Sequence, residues 1–183
     1  MITIDASQLK MLERATRDIK NGVPRVLMPA INRALAAGQT AVRREIRKIY
    51  TIKQKDIPTK VRRATRSSLQ GQITISQGML GAEKFVYKPK TVLKRRHAMF
   101  VKIKKSGGGY VARGFATNKL VGPFQRRSTA PRLPIRKIIA IGAPIMASQP
   151  TVGPEANKVM GDTLAKRIDH ELKRVLASTG GKP

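Results

Sequence analysis

Few residues in this chain could do proton or metal chemistry. It holds two histidines, His97 inside the basic run KRRHAMF and His170 between Asp169 and Glu171, and no cysteine. General acid–base catalysis needs groups tuned toward neutral pH and set against a substrate. His170 reads instead as the solvent edge of a helix, and His97 as a strand-edge residue that could at most touch a phosphate. Without cysteine there is neither a disulfide framework nor a thiolate metal site. The nearest thing to an acidic cluster, Asp162, Asp169 and Glu171, shares its stretch with basic neighbours and does not make a paired-carboxylate or metal site. The glycine run Ser106-Gly107-Gly108-Gly109-Tyr110 lacks the GxxxxGK[ST] spacing that cradles phosphates, so it reads as a hairpin turn. Neither GxSxG nor HExxH occurs. No catalytic residue, cofactor or metal is expected, and the chain reads as a non-enzyme.

What the chain does carry is charge. Its 183 residues include 38 Lys and Arg against 10 Asp and Glu, a formal net of +28. Such a chain seeks polyanions or acidic protein surfaces. A hydrophobic content of 40% separates it from a disordered basic tail. The charge is uneven: between Lys84 and Pro154 there are sixteen basic residues and no acidic one, and Arg43 to Arg66 adds ten more against Glu45 and Asp56. An ordinary solvated surface mixes both signs, so a partner-binding role is favoured.

The elements that position these residues follow from periodicity. Asp5 is placed to cap a first helix carrying Leu9, Leu12 and Ala15, with Asn21-Gly22 as its stop. Pro24 suits the first turn of a second, longer helix reaching about Tyr50. Leu27, Ile31, Leu35, Val42, Ile46 and Ile49 fall within one arc roughly 100° wide, and Arg25, Arg33, Arg43, Arg44, Arg47 and Lys48 fall opposite. Pro29 is expected to kink or restart this helix. Residues 51–66 read as a turn and a short helix capped by Asp56, with Pro58 in its first turn. From Leu69 to Phe124 the period shortens: Ile73 and Ile75, Phe85 and Tyr87, Phe100, Val101 and Ile103, and Tyr110 and Val111 suggest short strands. An extended return punctuated by Pro131, Pro134, Pro144, Pro150 and Pro154 holds one short helix near Ile141–Ser148. A last helix, about Glu155 to Ala177, carries Met160, Leu164, Ile168, Leu172 and Val175 on one side, with Asp162/Lys166 and Asp169/Lys173 as i,i+4 pairs.

The fold class expected is α+β: a long N-terminal helix and a C-terminal amphipathic helix packed on a small antiparallel sheet. One domain over residues 1–183 is expected, helical in 1–66, β-rich in 69–126, and closed by the return and last helix in 127–178. The longest apolar stretch, near Ile138–Ala147, is far too short to span a bilayer. The opening MITIDASQLK shows no secretory pattern, so assembly in a cytoplasm is the expectation.

The candidate contacts with DNA or a protein partner are basic. Arg43, Arg44, Arg47 and Lys48 could line a phosphate backbone without reading sequence, or dock on an acidic protein ring. Arg62, Arg63, Lys94, Arg95 and Arg96 belong to the same class, as do Lys104, Lys105, Arg126 and Arg127. With only 4 Phe, 3 Tyr and no Trp, stacking platforms for single strands are not expected. No zinc-finger, RRM or helix-turn-helix pattern occurs.

Two regions in order carry a resemblance. The first is Ala30-Ile31-Asn32-Arg33-Ala34 leading into Tyr50-Thr51-Ile52-Lys53-Gln54-Lys55-Asp56-Ile57. The second is Gly122-Pro123-Phe124-Gln125-Arg126-Arg127, then Arg132-Leu133-Pro134-Ile135, then Gly142-Ala143-Pro144. With the C-terminal amphipathic helix, they make the chain resemble the prophage minor tail protein Z, or tail-completion, family of tailed bacteriophages, from about Pro24 to Val175. It departs from the pattern at Ala143 and over Leu80–Gly109. The resemblance implies a structural virion protein that finishes the tail or builds the neck, assembled in the host cytoplasm. A ring at the head-proximal end, six copies if it follows the tail's symmetry, would meet head connector, tail terminator, tail tube and the genome DNA end. Phe124, Leu133, Pro134 and Ile135 are then expected to be core anchors of the return. The alternative is a sequence-nonspecific nucleic-acid-binding structural protein, and a third reading is a head or baseplate component of the same particle.

Overall fold

The computed structural model describes residues 6–17, 19–76, 78–92, 98–127 and 133–180. The chain forms two compact units. The first comprises Met1–Val42, Thr59–Thr74 and Pro150–Pro183, and the second Arg43–Pro58 and Ile75–Gln149. The architecture is α+β, with a long N-terminal helix, a long C-terminal helix and several small antiparallel sheets.

In the first unit, helix α1 (Ala6–Ala15) leads into helix α2 (Gly22–Ile49). The apolar stripe of α2 is the reason it folds: Val26, Leu27 and Ala30 are buried with Leu12 of α1, and with Ile168 and Val175 of helix α4 (Val152–Gly180). The apolar faces of these helices therefore bury one another here. Helix α1 ends at Ala15, earlier than its glycine stop suggests. The Thr16 hydroxyl donates back to the Leu12 carbonyl at 2.7 Å, and the chain then turns through Asn21, which takes a left-handed φ of 56°. Gly22 is the first residue of α2, where a Cβ would lie 2.4 Å from that of Thr16. Pro29 sits inside α2, and helix is assigned on both sides of it without a restart. On α4 an ion pair at 2.7 Å joins Arg174 to the buried Glu171, while Asp162 and Lys166, and Asp169 and Lys173, do not come within ion-pair distance of each other.

Residues 51–66 fold differently from the expected short helix. Gln54–Asp56 is a single 3₁₀ turn, and strand β1 (Lys60–Arg62) pairs antiparallel with strand β2 (Gln72–Thr74). Asn32 of α2 decides this locally: its amide donates to the Ala64 carbonyl at 3.1 Å and its side-chain oxygen accepts from the Ala64 N–H at 2.9 Å. Gln39 donates to the Thr59 hydroxyl at 2.8 Å. These bonds engage backbone that a helix over 58–66 would need for itself.

The second unit is built from short strands. Strand β3 (Met79–Gly81) pairs with β10 (Ile139–Gly142). Strands β4 (Val86–Lys88), β5 (Met99–Lys104) and β6 (Gly107–Val111) form one sheet, and β7 (Gly114–Ala116), β8 (Pro123–Arg126) and β9 (Ile135–Lys137) another. Helix α3 (Ala143–Ala147) follows β10, with Pro144 in its first turn. Ala82, Tyr87, Met99 and Val101 make one buried cluster. The β5–β6 hairpin forms as expected, but its turn is Lys105-Ser106, and Gly107, Gly108 and Gly109 belong to β6 itself. Gly108 is required by close approach: a Cβ there would lie 2.5 Å from the Phe100 ring and 2.9 Å from the Val101 carbonyl.

The anchors of the return also differ from expectation. Phe124 is buried and Pro123 is among the most buried side chains, but Leu133 is 67% exposed and Ile135 36%. Ile135 lies on β9, whose outer edge is unpaired and whose residues are all exposed, so neither it nor Leu133 reaches the core. Gly122, preceding them, has φ +116°, a region closed to side chains with a Cβ.

Two stability predictions follow from these positions. Leu12→Ala should cost about 2–5 kcal/mol in urea unfolding, while Leu9→Ala, at a 37% exposed site, should stay within about 1 kcal/mol. Gly122→Ala should cost about 1–3 kcal/mol through backbone strain, with a further contribution from the new Cβ, which would lie 3.1 Å from that of Glu83.

Candidate functional site

The two units differ sharply in charge. The second carries 22 Lys and Arg against three acids, a formal +19, and the first 16 against seven, a formal +9. Two of the three acids in the second unit are already engaged. Glu45 is buried with Lys48 Nζ at 2.7 Å and Arg44 Nε at 3.5 Å, and Glu83 is paired with Lys137 at 2.8 Å. What this unit shows to solvent is therefore almost wholly positive.

The last two turns of α2 place Arg44, Arg47 and Lys48 in the open, with Arg43 half-buried. They are held to the sheet by the backbone that follows. Tyr50 bridges Lys104, the Thr51 N–H donates to the Ile103 carbonyl at 2.9 Å, and the Lys105 N–H donates to the Ile49 carbonyl at 2.8 Å. The structure thus brings Lys48, Lys104 and Lys105 to adjoining backbone positions, where the negative end of the helix dipole favours cations. The Thr51 hydroxyl adds a bond to the Lys102 carbonyl at 2.5 Å and accepts from the Val86 N–H at 3.3 Å.

The other sequence-derived candidates fall elsewhere. Arg62 and Arg63 are exposed residues of the first unit. Lys94, Arg95, Arg96 and His97 lie outside the described residues, as does Arg132. Arg126 has a packing role: its guanidinium sits 5.1 Å from the centroid of Phe115, which in turn packs on Phe124. Arg127 is exposed and its carbonyl accepts from Arg113 Nη1 at 3.0 Å. His170 is exposed, 3.6 Å from Glu171.

Sequence reasoning missed one surface. On β5, Met99 and Val101 point to the core, so Phe100 and Lys102 share the opposite face, Val86 and Lys88 join them from β4, and the exposed Lys104 follows after a register shift. Phe100 stands opposite Tyr110 of β6, the rings in edge contact at 5.3 Å. The signal was Val101-Lys102-Ile103-Lys104, apolar and basic in turn after Phe100, which the sequence reading used only to place a strand.

Elsewhere the described concavities are poor in chemistry. A cleft of about 800 Å³ in the first unit is lined by Ile31, Leu35, Met160 and Leu164, with Arg62 its one charged residue. Among the described residues no group of three His, Cys, Asp or Glu could hold a metal ion. No described helix is long and apolar enough to cross a membrane.

This geometry is that of a basic α+β protein with exposed cations gathered at the end of α2 and the end of β5. The model of one family, prophage minor tail protein Z (GPZ), matches residues 8–178, and the chain belongs to that family. It is accordingly a structural protein of the bacteriophage tail and a component of the virion. No curated protein and no solved structure matches it.

The buried Glu45 gives a test of the field around it. At about 20 mM salt, Glu45→Gln should lose about 1 kcal/mol in urea unfolding, because it removes the carboxylate charge set against Lys48 and Arg44. The loss should shrink at about 0.5 M salt, where exposed charges are screened. Arg47→Gln, which removes one repelling charge, should be neutral or stabilising at the lower salt.

Proposed function

We propose that this protein completes the tail at its head-proximal end, forming a neck ring that joins the tail to the DNA-filled head. The observation that carries the reading is the second unit's one-signed surface, +19 with two of its three acids neutralised internally. A surface of that kind has strong attraction for an acidic neighbour and none for its own copies. Membership in the tail protein family supports a place in the virion, where other structural proteins are the candidate neighbours. Head connector, tail terminator and tail tube are the protein partners proposed, and the end of the genome DNA is a further polyanion within reach of a neck position. Assembly takes place in the host cytoplasm, with six copies following the symmetry of the tail.

Copies carrying +28 each repel one another. The ring therefore closes against an acidic partner or around DNA, and the free protein is monomeric. Sedimentation of the purified chain at about 50 mM salt, where screening is weak, should show a monomer. A stable hexamer there would remove the electrostatic part of the reading. Cryo-electron microscopy of the intact particle tests the place itself. Ring density for this chain between head connector and tail tube is the expected result, and its presence only at the baseplate or inside the head would overturn it.

A further inference from the structure

The outer face of the β4–β5–β6 sheet combines features that the neck reading does not use. The register sets Lys88 of β4 opposite Phe100 of β5, and Phe100 opposite Tyr110 of β6, so a cation and two aromatic rings stand in one row across the strands. The next row pairs Val86 with Lys102; beyond it the β5–β6 register shifts, and the exposed Lys104 stands opposite Gly107 at the hairpin end. Tyr110 is 76% exposed, and Lys88 and Lys104 are exposed. Tyr110 keeps one ring face open because its partner Phe100 meets it edge-on, at 63° between ring planes. The glycines preceding Tyr110 raise no side chain beside it, and Gly108 lets Phe100 lie flat over β6. No acidic residue occurs on β4, β5 or β6.

A purely acidic protein partner would need the lysines and gain little from an exposed tyrosine presented against a phenylalanine. A duplex would bury its bases and offer this row only phosphates. The ligand that uses both halves is a strand with unpaired bases: a base stacks on Tyr110, and the neighbouring phosphates meet Lys88, Lys102 and Lys104. Neighbouring strands lie about 5 Å apart, so the row spans roughly 10 Å from Lys88 to Tyr110. That width accommodates a base and its flanking phosphate. We propose that this sheet face binds single-stranded nucleic acid, reading neither sequence nor groove. The inference stands on the face itself and holds or fails separately from the chain's place in the particle.

The test uses the full chain and fluorescence anisotropy with a labelled oligothymidylate, a duplex of equal length, and poly-glutamate as competitor, at about 0.2 M salt. Any chain of +28 attracts any polyanion, so the decisive quantity is the difference between probes. Wild type should bind the single strand more tightly than the duplex. Tyr110→Ala should weaken single-strand binding about tenfold and leave duplex binding within about twofold, while Tyr110→Phe keeps the wild-type values. Lys102→Ala with Lys104→Ala should flatten the salt dependence of single-strand binding. Circular dichroism of the exposed-site variants separates lost binding from lost fold. The proposal is overturned if Tyr110→Ala leaves single-strand binding unchanged or weakens both probes equally. It is also overturned if poly-glutamate displaces the oligonucleotide as well as an unlabelled strand does, which would assign the face to an acidic protein.

Discussion

The second unit depends on how α2 ends. A helix leaves its last carbonyls without partners, and a glycine in left-handed conformation commonly closes it. Here the sheet does so instead: the Lys105 N–H caps Ile49, and Tyr50, 1% exposed, continues as a bridge to Lys104. Burial raises the Tyr50 phenol above its usual value, because a phenolate there would lose its hydration. Because Tyr50 is sealed in, the exposed cations of the last helical turns and those at the end of β5 keep fixed relative positions. Thr51 extends the same junction to β4, its hydroxyl serving both Lys102 and Val86. Helix end, strand end and basic cluster are thus one construction.

Holding that construction together means opposing its own charge. A unit at +19 gains stability from its apolar clusters and loses part of it to mutual repulsion. Glu45 and Glu83 are placed where a carboxylate helps most, shielded from solvent and each against a lysine that is itself partly exposed. Neither pair is chiefly a source of stability, since burying a carboxylate is costly. Their effect is to lower the local potential inside the unit while leaving its outside positive. Arg126 illustrates a second device: laid over Phe115, its cation is spread against an aromatic face and needs no acid.

The parts of this fold that were legible in the sequence are those fixed by local period. The stripe of α2 and that of α4, the alternation along β5, and the hairpin to β6 all follow from side-chain spacing that a single element satisfies by itself. What escaped was set by distant partners. Residues 58–66 carry helix-compatible chemistry, but Asn32, over thirty positions away, claims the backbone of Ala64. Leu133-Pro134-Ile135 has the composition of a core anchor, but only β8 on one side gives β9 a partner. The glycines of β6 looked like turn residues because sequence shows their missing side chains and hides the ring of Phe100 lying against one of them. The basic residues were legible as a class, and the site they form was not: sequence alone does not separate Arg126, which packs, from Arg127, which is exposed.

Charge of one sign attracts without direction, and a structural protein of a tail also has to be seated in a definite orientation. The field of the second unit accounts for the first requirement, because long-range attraction sets encounter rate and salt dependence more than geometry. Direction has to come from shape held rigidly near the charges. Along β5 one alternation satisfies both demands, since Met99 and Val101 secure the strand to its core cluster while Phe100 and Lys102 project from the other side. A change that loosened the core face would move the outer row with it. The chemistry presented by this strand is therefore only as well defined as the packing beneath it.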